Sequence, residues 1–326
     1  MKRACLLALL GMLLAGSGAV AEKKKAGVVL APRLAPGQVL RYQLAFHSTS
    51  KSRTESVIVD PEPAADAELS LGIGLRVEVL DVQPAAGGSA ARPALRLRVT
   101  YERVAATQRP DDAATSPGGA NDGPRGAAAL EGQAFDCTLD GSGAAECSGA
   151  EKPVPGAAEE LRGWLAQIFG GRGIPQKGIA PGERWGDERE VGGAIPLAGL
   201  RWVRQFTYVD NEPCQLAAAG AAGKASAAAE TCAVIRARSL LIRKGGRKDV
   251  TPEAFREKGL RTAGTASGVS ESLTRISLAS GLLLSASESG WQSSDVTVST
   301  ADGARKIHTT TELKTDSGLT LVRDAP

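Results

Sequence analysis

The sequence has few aromatic residues and almost no histidine. Aromatic side chains make up 4% of the 326 residues, and the two histidines are His47 and His308. Two histidines leave little scope for a catalytic zinc site, and no H-E-x-x-H motif is present. A core with so few aromatics must depend on leucine, valine, isoleucine and alanine. Disulfides are therefore expected to contribute more than usual to stability.

Motifs that mark common catalytic and nucleotide sites are also missing. The sequence contains no G-x-S-x-G nucleophile elbow, no P-loop and no dinucleotide-binding fingerprint. The glycine-rich stretch 170–173 follows a predicted helix instead of opening one, so it is interpreted as a cap. His47 and His308 lie in strand-like segments rich in Ser and Thr, which predicts solvent-facing positions. We therefore predict no catalytic residue, no cofactor and no bound metal, in a protein that is not an enzyme.

Long hydrophobic runs are absent except at the N-terminus. Lys2 and Arg3 precede an apolar stretch at 4–15, and the Ala-Val-Ala triplet at 19–21 fits a small-x-small cleavage site. The apolar stretch is shorter than the roughly 20 residues that a membrane span needs. The pattern predicts a signal peptide over 1–21, cleaved after Ala21, and a mature protein without a transmembrane span. We expect export, to the periplasm or to the extracellular space.

A large excess of charge of either sign is absent as well. The formal net charge of the whole chain is +3, and removing the two positive charges of Lys2 and Arg3 leaves +1. Proteins that bind nucleic acids usually present a strongly basic surface, so no nucleic-acid partner is expected. The lysines at 23–25 are a local exception and belong to a predicted flexible N-terminal segment, 22–33.

Four cysteines remain after cleavage of the signal, an even number in a compartment where disulfides form. They are Cys137, Cys147, Cys214 and Cys232. Each neighbouring pair brackets a turn-prone segment, as in a hairpin that brings its flanking residues together. This favours the local pairing 137–147 and 214–232 over the two other connectivities. No C-x-x-C spacing is present, which argues against a zinc site.

Most of the chain alternates apolar and polar residues, as half-buried strands do. The alternation is clear over 40–46, 71–82 and 95–104. The last quarter of the chain is predicted to contain strands at 270–278, 282–289, 295–300 and 306–314, with turns at 279–281, 301–303 and 316–318. The pattern predicts a mainly β (α+β) fold of curved antiparallel sheets, with one face in the core and one in water.

Two helices interrupt the predicted strands. Apolar residues recur three and four positions apart over 157–169, which predicts an amphipathic helix. Its apolar stripe consists of Leu161, Trp164, Leu165, Ile168 and Phe169. The stripe is expected to pack on a sheet, and it is the candidate binding face for an apolar ligand. A short second helix is predicted at about 252–258, with Thr251 as its N-cap.

The chain also shows signs of an internal duplication. Residues 34–40 (LAPGQVL) and 179–185 (IAPGERW) contain the same A-P-G turn about 145 positions apart, and similar elements follow each turn. We therefore predict two similar β-rich halves, 34–150 and 179–326, joined by a helix and connector at 151–178.

These features resemble a group of bacterial exported β-rich proteins of unknown function with two similar halves. The resemblance rests on an x-x-P-G-x-x-[WY] strand start, on a Gly-Gly helix end ahead of Ile174-Pro175, and on the segment SGLLLS at 280–285. It covers most of residues 34–322 and implies a curved β architecture without catalytic residues. At the level of fold alone, it is similar to periplasmic carriers of lipids and lipoproteins.

The sequence thus predicts a non-catalytic, exported envelope protein that binds a lipid or other apolar ligand, or an envelope protein. One alternative is a structural or adhesive component of the cell surface. Another is a secreted hydrolase, which would require His47 or His308 to meet a hydroxyl and a carboxylate in a cleft.

Overall fold

A computed structural model describes residues 27–56, 65–84, 93–109, 127–149, 157–169, 173–175, 177–191, 195–214, 230–244 and 250–322. The signal peptide at 1–21 lies outside these residues, so its cleavage after Ala21 stays a prediction.

Within the described residues, eleven strands form one antiparallel sheet. In chain order they are β1 (Val39–Ser56), β2 (Ala65–Gln83), β3 (Ala94–Gln108), β4 (Ala134–Leu139), β5 (Ala145–Ser148), β6 (Arg184–Glu190), β7 (Leu200–Pro213), β8 (Thr231–Arg243), β9 (Leu260–Ser277), β10 (Leu283–Thr300) and β11 (Lys306–Val322). Across the sheet the order is β5-β4-β3-β2-β1-β11-β10-β9-β8-β7-β6. The first and last strands therefore meet in the middle, and β5 and β6 form the two edges. The predicted antiparallel β-rich fold is confirmed, as one continuous sheet in place of several.

The two faces of the sheet differ because side chains alternate along each strand. On β1, Leu40, Tyr42 and Leu44 are buried, whereas the residues between them reach solvent. We name the face that carries Leu44 the helix face. The opposite face, which carries Ala45, is the outer face.

The helix face is covered in part by α1 (Ala157–Ile168), which lies close to its predicted bounds. The helix belongs to the connection between the two edge strands, and its apolar stripe faces the core formed with β1–β4. Phe169, directly after the helix, meets Tyr42 edge-to-face with ring centroids 6.3 Å apart. The Tyr42 hydroxyl donates a hydrogen bond to the Leu283 carbonyl at 3.2 Å. Burial raises the pKa of this phenol.

The β6–β9 part of the helix face is covered by chain segments. Val28 and Ile179 form an isolated antiparallel bridge. Ile179 packs with Phe206, Tyr208 and other buried side chains of β7 and β8. Near the far end of the same strands, a third buried cluster surrounds Leu241.

Both predicted disulfides are present. Cys137 and Cys147 face each other directly across the β4–β5 pair. Cys214, which follows β7, is bonded to Cys232 on β8. The local pairing drawn from sequence proximity is therefore confirmed.

The two A-P-G turns make the same hydrogen bonds. Gly37 N donates to Val79 O at 2.7 Å, and Gly182 N donates to Tyr208 O at 2.6 Å. In each turn the side chain of the residue before the strand accepts a hydrogen bond of 3.2 Å from the amide three residues earlier. This likeness is local, and the duplication of whole halves stays a prediction.

Several predicted boundaries in the last third of the chain are wrong. The predicted strands 282–289 and 295–300 are parts of one strand, β10, which begins at Leu283, and residues 316–318 lie inside β11 instead of forming a turn. The Asp-Ser-Gly composition of 316–318 is typical of turns. It forms a strand here because β11 is hydrogen-bonded along its length to β1 on one side and β10 on the other.

The short second helix is also smaller than predicted. It is α2 (Glu253–Arg256), and Pro252 occupies its N-cap without a side-chain hydrogen bond. The Thr251 hydroxyl instead accepts a buried hydrogen bond of 3.0 Å from Thr262 N on β9. The prediction of Thr251 as the N-cap is therefore wrong, because this hydroxyl joins a loop to the sheet.

Candidate binding grooves on the outer face

The apolar stripe of α1, predicted as a candidate binding face, lies in the core. Leu161 and Leu165 are 0% exposed, Ile168 and Phe169 are buried, and Trp164 packs half-buried against them. The cavity between α1 and the sheet has a volume of only about 20 Å³. A cavity of this size holds about one water molecule, so it has no room for a ligand.

A groove of about 920 Å³ crosses the opposite, outer face of the sheet. It is lined by three consecutive residues on each of five strands: 70–72 of β2, 45–47 of β1, 316–318 of β11, 287–289 of β10 and 271–273 of β9. Ala105 and Thr107 on β3 line one end, and Arg236 on β8 lines the other. We name this surface the outer groove.

The outer groove is long and narrow and runs across the strands. It is three residues wide along the five central strands, and it extends over seven neighbouring strands, from β3 to β8. At about 4.8 Å between strands, that length corresponds to about 29 Å. The shape favours an extended ligand over a compact one.

Small side chains open the groove along one wall. A row of directly paired residues consists of Ala105, Gly72, Ala45, Gly318, Ser287, Leu273 and Arg236. A Cβ atom added at Gly318 would have no heavy atom within 4 Å, and one added at Gly72 would meet nothing closer than 4.0 Å. Both glycines therefore border open space.

The other wall of the groove is polar and contains His47. Its row of paired residues consists of Thr107, Ser70, His47, Asp316, Ser289 and Glu271. His47 Nδ1 lies 3.0 Å from Ser70 Oγ. Asp316 faces His47 from β11, but no hydrogen bond joins its carboxylate to the imidazole in the described structure. A Ser/His hydrolase needs that bond to orient the imidazole, so the set is incomplete.

His308 lies on the same face but far from the groove. It is separated from Asp316 by eight residues of β11, which corresponds to about 27 Å. Its Nε2 is 2.9 Å from Asp295 Oδ1, and its Nδ1 is 3.8 Å from Glu55 Oε2. These contacts place it in a surface ion-pair cluster without a serine hydroxyl as a hydrogen-bond partner.

A second groove, of about 660 Å³, continues the outer groove toward the edge strand β6. Arg236 lines both, and Arg184, Arg204 and Arg238 line the second with it, so we name it the arginine groove. Arg204 is hydrogen-bonded to Asp187, which lines the same groove. Arg184, Arg236 and Arg238 are exposed. Arg238 Nε is 3.9 Å from Glu271 Oε1. Among the described residues, no carboxylate forms a salt bridge with Arg184 or Arg236.

The one glutamate of the arginine groove is already paired with other cations. Glu188 contacts the Lys244 ammonium, and its Oε2 is 3.5 Å from Arg201 Nη1. These contacts, the Lys244 hydrogen bond above all, lower the pKa of Glu188. Glu188 therefore leaves the charge of Arg184 and Arg236 uncompensated.

Sequence reasoning missed both grooves. Two signals pointed toward the outer groove: Gly72 lies inside an otherwise regular strand pattern, and Gly318 ends a segment that resembles a turn. A glycine inside a strand often marks a place where another molecule or another backbone approaches closely. Neither signal identified a site, because the strands that bring the two glycines side by side were unknown.

No helix among the described residues is both long and apolar enough to cross a membrane. Within the same residues, no group of three His, Cys, Asp or Glu side chains is placed to hold a metal ion.

Comparison with known proteins identifies no relative by sequence. No protein-family model matches the chain, and no curated protein matches it. A solved structure of an outer membrane channel from Pseudomonas putida F1 covers 89% of this chain and 97% of its own, at 6% identity and a TM-score of 0.16. A TM-score this low indicates neither a shared fold nor a shared function.

Proposed function

We propose that this protein is an exported, non-catalytic binding protein that holds an elongated apolar ligand, such as a lipid acyl chain, in the outer groove. The observation that carries the proposal is the outer groove itself, which crosses seven strands and is opened by Ala45, Gly72 and Gly318. An apolar ligand gains roughly 25 cal/mol for each Å² of apolar surface that it removes from water.

The size of the groove supports ligand binding. Its volume of about 920 Å³ lies within the range of about 300–1,000 Å³ that is usual for ligand pockets. The residues usual on a solvent-facing surface are Lys, Arg, Glu and Asp, whereas Ala and Gly are among those most often buried. A row of Ala and Gly on that surface makes room for another molecule.

Two observations support export. The N-terminal residues carry the pattern of a signal peptide. The four cysteines of the mature chain form two disulfides, which form and persist in oxidising compartments.

The test is native mass spectrometry of the mature protein purified from its own cell envelope without detergent. The wild-type protein is expected to carry a bound lipid-sized mass. Gly318→Leu, whose side chain would occupy the groove, is expected to lose that mass. The matched control is Gly163→Leu on α1, where an added Cβ also has no heavy atom within 4 Å. It should keep the bound mass.

Three results would contradict the proposal. The first is a wild-type protein without any bound small molecule. The second is a bound mass that survives Gly318→Leu. The third is co-purification with an envelope protein alone, which would favour a structural role over a ligand carrier.

A further inference from the structure

We infer that the ligand of the outer groove is an anionic phospholipid, and that Arg184, Arg236 and Arg238 bind its phosphate head group. This inference rests on the proposed function and adds the head group and its site. It depends on the position of the arginine groove, which begins where the outer groove ends.

Arg236 connects the two surfaces. It is the last residue of the row that begins with the small side chains, directly paired with Leu273 on β9, and it also lines the arginine groove. An acyl chain that lies along the small residues therefore ends beside a guanidinium group.

The three arginines are spaced to surround one head group. Arg184 and Arg236 lie on the same row, separated by one strand, which places their backbones about 10 Å apart. Arg238 is two residues from Arg236 on the same face, about 7 Å along β8. A guanidinium group donates two parallel hydrogen bonds to phosphate oxygens, which an ammonium group does not.

The distribution of charge favours an anionic group at the β8 end of the outer groove. Arg184 and Arg236 form no salt bridge with the carboxylates of the described residues, and Glu188 beside them is held by Lys244 and Arg201. The middle of the outer groove carries the exposed carboxylate of Asp316 on β11, whereas Glu271 on β9 lies opposite Arg238, which is 3.9 Å from it. Asp316 would repel a phosphate there, so the head group is directed toward the exposed Arg184 and Arg236.

An apolar strip beside the arginines favours a lipid with two acyl chains. Leu240, Val269 and Trp291 are directly paired on the outer face, one row beyond Arg238. Leu240 is 44% exposed and Trp291 is 37% exposed. A second chain leaving the same head group can lie on this strip, parallel to the chain in the outer groove.

The test uses vesicles of phosphatidylglycerol and of phosphatidylcholine with identical acyl chains. The delipidated protein is incubated with each type, separated from the vesicles, and analysed for bound lipid by native mass spectrometry. The wild-type protein is expected to retain phosphatidylglycerol at least about 10-fold more than phosphatidylcholine. Both lipids carry a phosphate, but the choline cation of phosphatidylcholine cancels its charge and is repelled by the arginines, whereas phosphatidylglycerol keeps a net negative charge. Arg236→Gln is expected to lower phosphatidylglycerol retention more than phosphatidylcholine retention, and so to reduce this preference.

The control is Arg261→Gln, which removes an exposed arginine at the far end of β9. It should keep the preference for phosphatidylglycerol. Equal retention of the two lipids by the wild-type protein, with loss of both in Gly318→Leu, would overturn the head-group inference and leave the proposed function standing. Retention of neither lipid would overturn the proposed function itself. If Arg261→Gln lost the preference for phosphatidylglycerol as strongly as Arg236→Gln, the preference would come from general surface charge. That result would overturn the head-group inference.

Discussion

The helix face and the outer face of the sheet are built by the same strands and have opposite properties. On β1, Leu44 is 1% exposed and lies in the core, whereas the next residue, Ala45, lines the outer groove. On β11, Leu319 is buried, whereas Gly318 borders open space. Because side chains alternate, one set of strands can carry a packed core on one face and a groove on the other. Under the proposed function, the residues that stabilise the fold alternate along each strand with those that bind the ligand.

The largest effect on stability is expected from truncating the apolar stripe of α1. Leu165→Ala should lower the free energy of unfolding by about 2–5 kcal/mol, because it removes a fully buried side chain and leaves a cavity. Denaturant unfolding followed by circular dichroism measures the change. The remaining folded protein should still bind its ligand. A loss below about 1 kcal/mol would contradict the position of this residue in the core.

The next largest effect is expected from removing a disulfide. Replacing both Cys214 and Cys232 by Ala should lower the free energy of unfolding by about 3 kcal/mol, because the open chain gains conformational entropy. The sequence separation is 18 residues for this pair and 10 for Cys137–Cys147. The Cys137–Cys147 disulfide is therefore expected to contribute slightly less to the free energy of unfolding. Thermal unfolding of the two double variants side by side checks the order, and a clear reversal would show that loop length does not control it.

Adjacent residues of β11 allow the two faces to be separated most sharply. Gly318→Leu should change the free energy of unfolding by less than about 0.5 kcal/mol, because its side chain enters open space on the surface. Leu319→Ala should cost about 2–5 kcal/mol and leave the groove intact. Unfolding and lipid retention are measured for both variants. The assignment of functions to the two faces fails if Gly318→Leu destabilises as strongly as Leu319→Ala.

The smallest effect is expected at the β4–β5 turn, which belongs to neither surface. Asp140 Oδ1 accepts hydrogen bonds from the Ser142 side chain and from the Ser142 and Ala144 amides, and these lower the pKa of Asp140. A carboxyl whose pKa is lower in the folded state stabilises above its unfolded value, about 3.9 for Asp. That stabilisation is lost as the pH falls through the folded-state pKa.

Asp140→Asn should therefore destabilise the protein slightly at pH 7 and less at pH 3. The difference is expected to stay below about 1 kcal/mol, since the group is exposed. Unfolding of the variant and of the wild-type protein at both pH values measures it. An equal effect at the two pH values would show that ionisation of Asp140 plays no part.

Local features of the fold could be predicted from the sequence. The alternation over 71–82 and 95–104, the apolar stripe of α1 and the spacing of the cysteines each report on neighbours close in the chain. The predicted strand boundaries were wrong where pairing with neighbouring strands outweighed local composition, as it did for 316–318 inside β11.

The groove could not be predicted in the same way. Ala45, Gly72 and Gly318 form one row only because β1 pairs with both β2 and β11 in one particular register. Gly318 lies 273 positions from Ala45, and no local pattern records that contact. The arginine groove has the same origin, since Arg184 and Arg236 become neighbours only through the β6–β7–β8 pairing.

Photo-crosslinking with a phosphatidylglycerol that carries a photoactivatable group on one acyl chain tests the central claim most directly. After irradiation and proteolysis, mass spectrometry identifies the modified peptides. We expect crosslinks at 45–47, 70–72 and 316–318, and their loss in Gly318→Leu. Crosslinks confined to 157–169, the stripe of α1, would contradict the claim, because the ligand would then enter the helix face and the outer groove would be empty surface.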